Sequence, residues 1–306
     1  MPSKNKSLLA AFLIAAAALL WATDTLVRYP STVELNFKLV VLMEHLVGLV
    51  LITPFVLLKR RAEIPKLFQA RELGLLAVAG IGGSALGGLA FTYSMQAIGP
   101  DRATVFQMVQ PLFVLVLARL FLKEKHSSSF VLIALWAVMN AFLIGFPGLF
   151  SEEESGFSTA GILTGGLAVV LWAFSTVAGK ALLFKHRPEV AVFGRWLMAS
   201  TFMAVWFLVS GEKIPWNTLA SRDVWLSSLY LGSVAGVGGM TVYYYGLRKL
   251  PASLVTFIEL LYPLAGVFVP ILFFGAKTSN IQAFSGIFFL FSIGLLVKLE
   301  FGESRK

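Results

Sequence analysis

Apolar residues follow one another along this chain in ten long runs, separated by short polar stretches. The runs predict helices at residues 7–29, 35–58, 72–98, 103–122, 130–148, 157–184, 190–209, 224–250, 252–274 and 281–299. A helix rises ~1.5 Å per residue, so about 20 apolar residues cross the roughly 30 Å hydrocarbon core of a bilayer. The runs are of that length. They are continuous rather than alternating, which argues against a transmembrane β-barrel. The loops between them are too short to hold a soluble domain. Lys4 and Lys6 precede the first run as in a signal peptide, but the run is long and a second follows soon, so it reads as an uncleaved helix.

Composition agrees. Of 306 residues 58% are hydrophobic and 13% charged, against roughly 25% charged in soluble domains; the mean hydropathy is +0.82. A net charge of +9 would suggest nucleic acid in a soluble protein, but here the bases sit at the ends of the runs. They also sort by side. Eighteen Lys and Arg fall on the face of the two termini and six on the other, with Arg195 left inside a run. The positive-inside rule then puts both termini in the cytoplasm of a multi-pass plasma-membrane protein (a bacterial inner membrane) and Glu152-Glu153-Glu154 outside. The chain has no cysteine, which excludes disulfides and thiolate metal sites.

The two halves of the chain echo each other. Leu20-Trp21-Ala22 returns as Leu171-Trp172-Ala173, and Gln110-Pro111 is matched by Tyr262-Pro263, at offsets of 151 and 152 residues. The second offset also pairs Gly80 with Gly232, Gly87 with Gly239 and Tyr93 with Tyr245. These matches, in corresponding runs and in register, argue for duplication of a five-helix unit. Five is odd, so the second copy enters the membrane inverted. The expected fold is an all-α membrane protein of ten transmembrane helices in two inverted five-helix repeats, residues 7–148 and 157–299.

Each repeat brings one proline-broken helix, a sequence pointer to a central binding site. Pro111 and Pro263 cannot donate a backbone N–H, so the carbonyl one turn earlier is left free, that of Glu259 in the second copy. A carboxylate inside lipid is costly unless it faces protein, water or a partner. Glu259 is therefore either a neutral packing residue or the group that couples transport to protons. The polar positions correspond across the repeat: Asp24 with Ser175, Glu44 with Arg195, Gln107 with Glu259. Glu44 and Arg195 lie nearest the midplane. They read either as an ion pair locking the second helix to the seventh, or as a substrate-anion site at Arg195 with Glu44 as its resting counter-ion. Asp24 belongs either to the site or to the headgroup zone. Trp21, Trp172, Tyr93 and Tyr245, with Gln110 and Tyr262 beside the prolines, complete the candidate substrate-binding set; Tyr243, Tyr244 and Tyr245 read equally as an interfacial aromatic belt. The glycines of Gly80-Ile81-Gly82-Gly83-Ser84 and Gly236–Gly239 lie within runs, where close helix packing and hinging account for them better than a phosphate loop.

Ten spans, two inverted copies, the Leu-Trp-Ala motif and the fourth-helix proline resemble the drug/metabolite transporter superfamily, EamA type. The likeness covers nearly the whole chain and is closest from Tyr93 to Glu124: Ala97-Ile98-Gly99-Pro100, Ala103, Gln110-Pro111 and Leu122-Lys123-Glu124-Lys125. In the second copy Arg195-Trp196, Leu250-Pro251-Ala252-Ser253 and Tyr262-Pro263 match. Glu44-His45 stands where the repeat commonly has arginine followed by an aromatic, and Ala276 where a counterpart of Glu124 is expected. The resemblance implies a secondary transporter, an exporter of a small amphipathic or anionic metabolite such as an amino acid, working by alternating access with or without protons. The alternatives are a uniporter or exchanger of drugs or nucleotide-like compounds, a channel, or a scaffold. Metalloprotease, diphosphate-metal and nucleophile-elbow motifs are absent, so no enzyme is expected. The expected partners are a small-molecule substrate and the lipid bilayer, without cofactor or nucleic acid, in a monomer or homodimer. The topology has a direct check: an alkaline-phosphatase fusion at Ser155 is active and one at Gln69 inactive, whereas the reverse pattern defeats the inverted repeat.

Overall fold

The computed structural model describes residues 4–149, 158–211, 215–265 and 279–303, and among them the chain is helical with no strand. The helices are α1 Lys6–Glu34, α2 Phe37–Leu67, α3 Ala70–Ile98, α4 Pro100–Leu122, α5 Ser128–Gly145, α6 Thr159–Leu182 and α7 Pro188–Val209. Three consecutive segments, Arg222–Tyr230, Leu231–Gly238 and Gly239–Leu247, form α8. Then come α9 Ala252–Ala265 and α10 Asn280–Glu300. These are the ten expected helices. The first continues beyond residue 29 to Glu34, after a break at Thr23. The end of the ninth run, Ala276 and Glu152–Glu154 lie outside the described residues.

The two halves interlock rather than abut. The first helix of each lies on the third helix of the other, α1 on α8 and α6 on α3, while α5 and α10 pair with each other. Residues 77–87 of α3 and 231–238 of α8 are wound as π-helix. Both stretches are rich in glycine, and the widened turn lets a carbonyl accept from a neighbouring side chain. The Trp172 indole donates to the Gly83 carbonyl at 3.0 Å, and the Trp21 indole to the Ala235 carbonyl at 2.9 Å. A Cβ on Gly87 would lie 2.8 Å from Trp172 Nε1, and one on Gly239 2.9 Å from Trp21 Nε1. The same holds one helix away: a Cβ on Gly80 would lie 2.6 Å from the Arg195 carbonyl, and one on Gly232 2.8 Å from that of Glu44. The glycines that repeat in the sequence are thus the places where the halves touch. Lipid gives little hydrophobic drive for helix association, so close backbone approach and polar clasps carry it.

A further tie joins the halves at the turn from α8 to α9. The Glu124 carboxylate, just past the end of α4, accepts from the backbone N–H of Ala252 (2.7 Å) and of Ser253 (3.2 Å) and from Ser253 Oγ (2.6 Å). It thereby satisfies donors left open at the start of α9 and opposes the dipole there. Lys180 Nζ donates to the carbonyls of Leu247 and Leu250, both at 2.7 Å, where α8 ends. Burial pushes the Glu124 carboxyl up, but His126, Ser253 and the two amides outweigh it and hold it below its ordinary value of 4.5. A depressed carboxylate contributes stability that is complete above the unfolded value and is lost as pH falls through the folded one. Glu124→Gln therefore costs about 1–3 kcal/mol at neutral pH. In thermal unfolding of the detergent-solubilised protein this deficit holds above pH ~5 and closes in the acid range below the ordinary value.

Candidate functional site

Helices α1–α4 and α6–α9 enclose a cavity of about 170 Å³, to which α5 and α10 contribute no lining residue among those described. Its walls are set by three interruptions. α1 breaks at Thr23, between Trp21 and Asp24, where the Thr23 hydroxyl bonds to the Leu20 carbonyl and to the Tyr230 hydroxyl. α4 tightens to a 3-10 turn at Gln107–Val109 just before Gln110-Pro111. α9 is interrupted after Glu259, at Leu260, ahead of Pro263. Neither proline can donate to the carbonyl four residues earlier; that of Gln107 is taken instead by the Gln110 N–H in the 3-10 turn, and in α9 the helix is interrupted after Glu259.

Two guanidinium groups reach the cavity in different settings. Arg28 makes a two-pronged contact with Asp24, Nε to Oδ2 at 2.6 Å and Nη2 to Oδ1 at 2.8 Å, and its Nη1 donates to Glu44 Oε2 at 2.8 Å. All three residues are 7–8% exposed. Asp24 therefore lies inside the protein, not among headgroups, and Arg28, one of the six bases counted by sequence on the face away from the termini, is buried beside it. The expected ion pair of Glu44 with Arg195 is not formed. α1 stays helical past Asp24, which brings Arg28 round to Asp24 at the i,i+4 spacing and on to Glu44. Arg195 donates instead to two neutral oxygens, Ser84 Oγ at 2.6 Å and the Tyr244 hydroxyl at 3.1 Å.

The aromatic walls come from both copies. Trp21 packs on Tyr243 with ring centroids 5.1 Å apart, Trp172 on Phe91 at 5.1 Å, and Trp196 stacks with His45 at 5.4 Å. The Tyr243 hydroxyl donates to Glu259 Oε2 at 3.1 Å. Gln107, Gln110, Ser175 and Tyr262 line the same space, with Pro111 and Pro263. Among the described residues, Gln107 Nε2 and Trp196 Nε1 are buried donors without a hydrogen-bond partner. Two expected site residues stand elsewhere. Tyr93 packs edge-on to Phe37, and Tyr245 is exposed with its hydroxyl on Glu189.

Sequence reasoning missed Arg28, Phe91, Thr176, Met240 and Thr256, all in the lining. The Asp24–Arg28 spacing was a usable signal for the first. Of the two readings of Tyr243, cavity aromatic or interfacial belt, its place in the lining fits the first, while Tyr245 is exposed on α8.

The charge arrangement is testable. Arg28→Gln leaves Asp24 and Glu44 unpaired and lowers folded yield sharply, an expected loss of about 3–5 kcal/mol. In a double-mutant cycle of unfolding, Arg28→Gln with Glu44→Gln shows coupling of about 0.5–3 kcal/mol. Glu44→Gln with Arg195→Gln adds simply; strong coupling in that pair instead defeats the assignment.

With this geometry in place, comparison with known proteins becomes informative. The EamA-like transporter family matches residues 8–146 and 159–298. "Riboflavin transporter ImpX" of Fusobacterium nucleatum is 29% identical over 297 residues, covering 95% of this chain and 98% of that protein. A "Riboflavin transporter" of Brucella anthropi is 26% identical over 151 residues, 49% of this chain and 51% of its own. An "Uncharacterized transporter" of Helicobacter pylori is 26% identical over 72% of this chain and 71% of its own. A solved crystal structure superposes with a TM-score of 0.74 over 95% of this chain and 97% of its own at 16% identity, a likeness of fold.

Proposed function

The chain belongs to the EamA-like transporter family, and from that premise we propose that it carries a planar aromatic metabolite with polar substituents, of the flavin type. The carried molecule crosses through the cavity between α1–α4 and α6–α9 by alternating access. The observation that carries this reading is the paired indoles. Trp21 and Trp172 line the cavity from repeat-related positions, and each ring is held by its own N–H on a carbonyl of the opposite half. Held rings offer stacking faces at little entropic cost, and aromatic stacking adds about 0.5–1.5 kcal/mol per pair beyond burial. The open donors of Gln107 and Trp196 suit the carbonyl and hydroxyl oxygens of such a molecule. Two relatives named as riboflavin transporters support the same class.

In this proposal the units 7–148 and 157–299 sit inverted in a plasma membrane with both termini in the cytoplasm. Access alternates as the two copies exchange conformations about the cavity. Such a carrier is reversible, so the gradient sets its direction; the export expected from the sequence is one direction of the same cycle. Glu259, held by Tyr243 one turn before Pro263, is the proposed proton-coupling residue.

Purified protein in liposomes takes up radiolabelled riboflavin saturably, and preloaded liposomes release it. Replacing Trp21 and Trp172 together by alanine lowers the rate at least about tenfold, the equivalent of roughly 1.4 kcal/mol. Absence of saturable flux in both directions overturns the flavin reading. Glu259→Gln keeps exchange but loses accumulation driven by a pH gradient; full gradient-driven uptake by that variant ends the coupling role.

A further inference from the structure

A charge buried beside a low-dielectric cavity needs a counter-charge. Arg28 has two, Asp24 and Glu44. Arg195 has neither. It is 5% exposed and lines the cavity, and its bonds run to the Ser84 and Tyr244 hydroxyls through Nε and Nη1. Among the described residues no carboxylate forms an ion pair with it. Glu259 faces the same cavity within electrostatic reach, but its hydrogen bond comes from Tyr243. The third guanidinium nitrogen, Nη2, has no hydrogen-bond partner among the described residues. It points to the cavity wall at Gly83, where a Cβ would lie 3.3 Å from it and 2.2 Å from Ser175 Oγ. Glycine here lets the Ser175 side chain pack against the helix beside Nη2, and Gly83, Ser84 and Ser175 line the cavity together with Arg195.

The hydroxyls fix the guanidinium plane while leaving its charge unneutralised. A planar donor held in this way suits oxyanions, whose oxygens match the fork of N–H groups. We propose that Arg195 is an anion subsite of the transport cavity, where Nη2 takes the phosphate or carboxylate substituent of the carried aromatic metabolite. This rests on the transport reading above and adds to it that the preferred cargo is the acidic form of the molecule. The Arg28 cluster, with two carboxylates to one guanidinium, repels the same substituent and so fixes which end of the cargo enters the Arg195 side.

The first test uses inorganic phosphate as the probe, on the purified protein in detergent at constant ionic strength. Phosphate raises the unfolding temperature saturably in the wild type. The shift is lost in Arg195→Gln and partly kept in Arg195→Lys. No saturable shift in the wild type, or an equal shift in Arg195→Gln, overturns the subsite. If Arg195→Gln does not fold, phenylglyoxal labelling of Arg195 in the wild type decides instead: phosphate protects the residue if the subsite exists and leaves labelling unchanged if it does not. The second test compares riboflavin 5′-phosphate with riboflavin by quenching of tryptophan fluorescence. The phosphorylated form binds at least about tenfold tighter to the wild type, and the ratio falls towards one in Arg195→Gln. Equal binding of the two flavins in the wild type, with phosphate protection intact, assigns the subsite to a free anion and overturns its role for a substituent. Phosphate protection without binding of either flavin upholds the anion subsite and removes the flavin reading.

Discussion

Two indole-to-carbonyl hydrogen bonds hold this molecule in register. Trp172 reaches Gly83 in the third helix and Trp21 reaches Ala235 in the eighth, each crossing from one half of the chain to the other. Both depend on a π-wound segment to present the carbonyl and on a glycine, Gly87 or Gly239, to let the ring approach. Because both members are of one kind, the cavity wall is near-symmetric even though the polar residues on it are not. The two clasps tie the halves to each other across the cavity walls.

Charge breaks the symmetry. The repeat-related positions of Glu44 and Arg195 carry opposite signs, and each finds partners other than its repeat mate. Glu44 joins Arg28 and Asp24 within the first half, whereas Arg195 bonds to Ser84 of the first half and to Tyr244 of the second. The Arg28 cluster therefore has more carboxylate than guanidinium, whereas the hydrogen bonds of Arg195 run, among the described residues, to hydroxyls. In a medium where ions are poorly solvated, such a difference orients a polar ligand more strongly than any single contact. A second asymmetry lies at the helix ends. Glu124 caps the start of the ninth helix, whereas the sequence places Ala276 at the corresponding position of the other copy.

The sequence by itself determined the ten helices, the duplication and the two proline breaks. Hydrophobic run length is a one-dimensional property that the bilayer imposes residue by residue, and an offset repeat survives however the chain folds. The repeated glycines and tryptophans were also legible, because close approach leaves a trace in residue size. Tertiary structure alone decided which charges meet. Glu44 and Arg195 are repeat partners, yet pairing depends on helix rotation and on how far the first helix continues, and neither is encoded in an offset. Arg28 looked like a loop base because it lies past the apolar core of its run; only the continued helix turns it inward to Asp24 and Glu44. Tyr243 and Tyr245 read alike in the chain, and the direction each side chain takes from the eighth helix placed one on the cavity and the other on the surface.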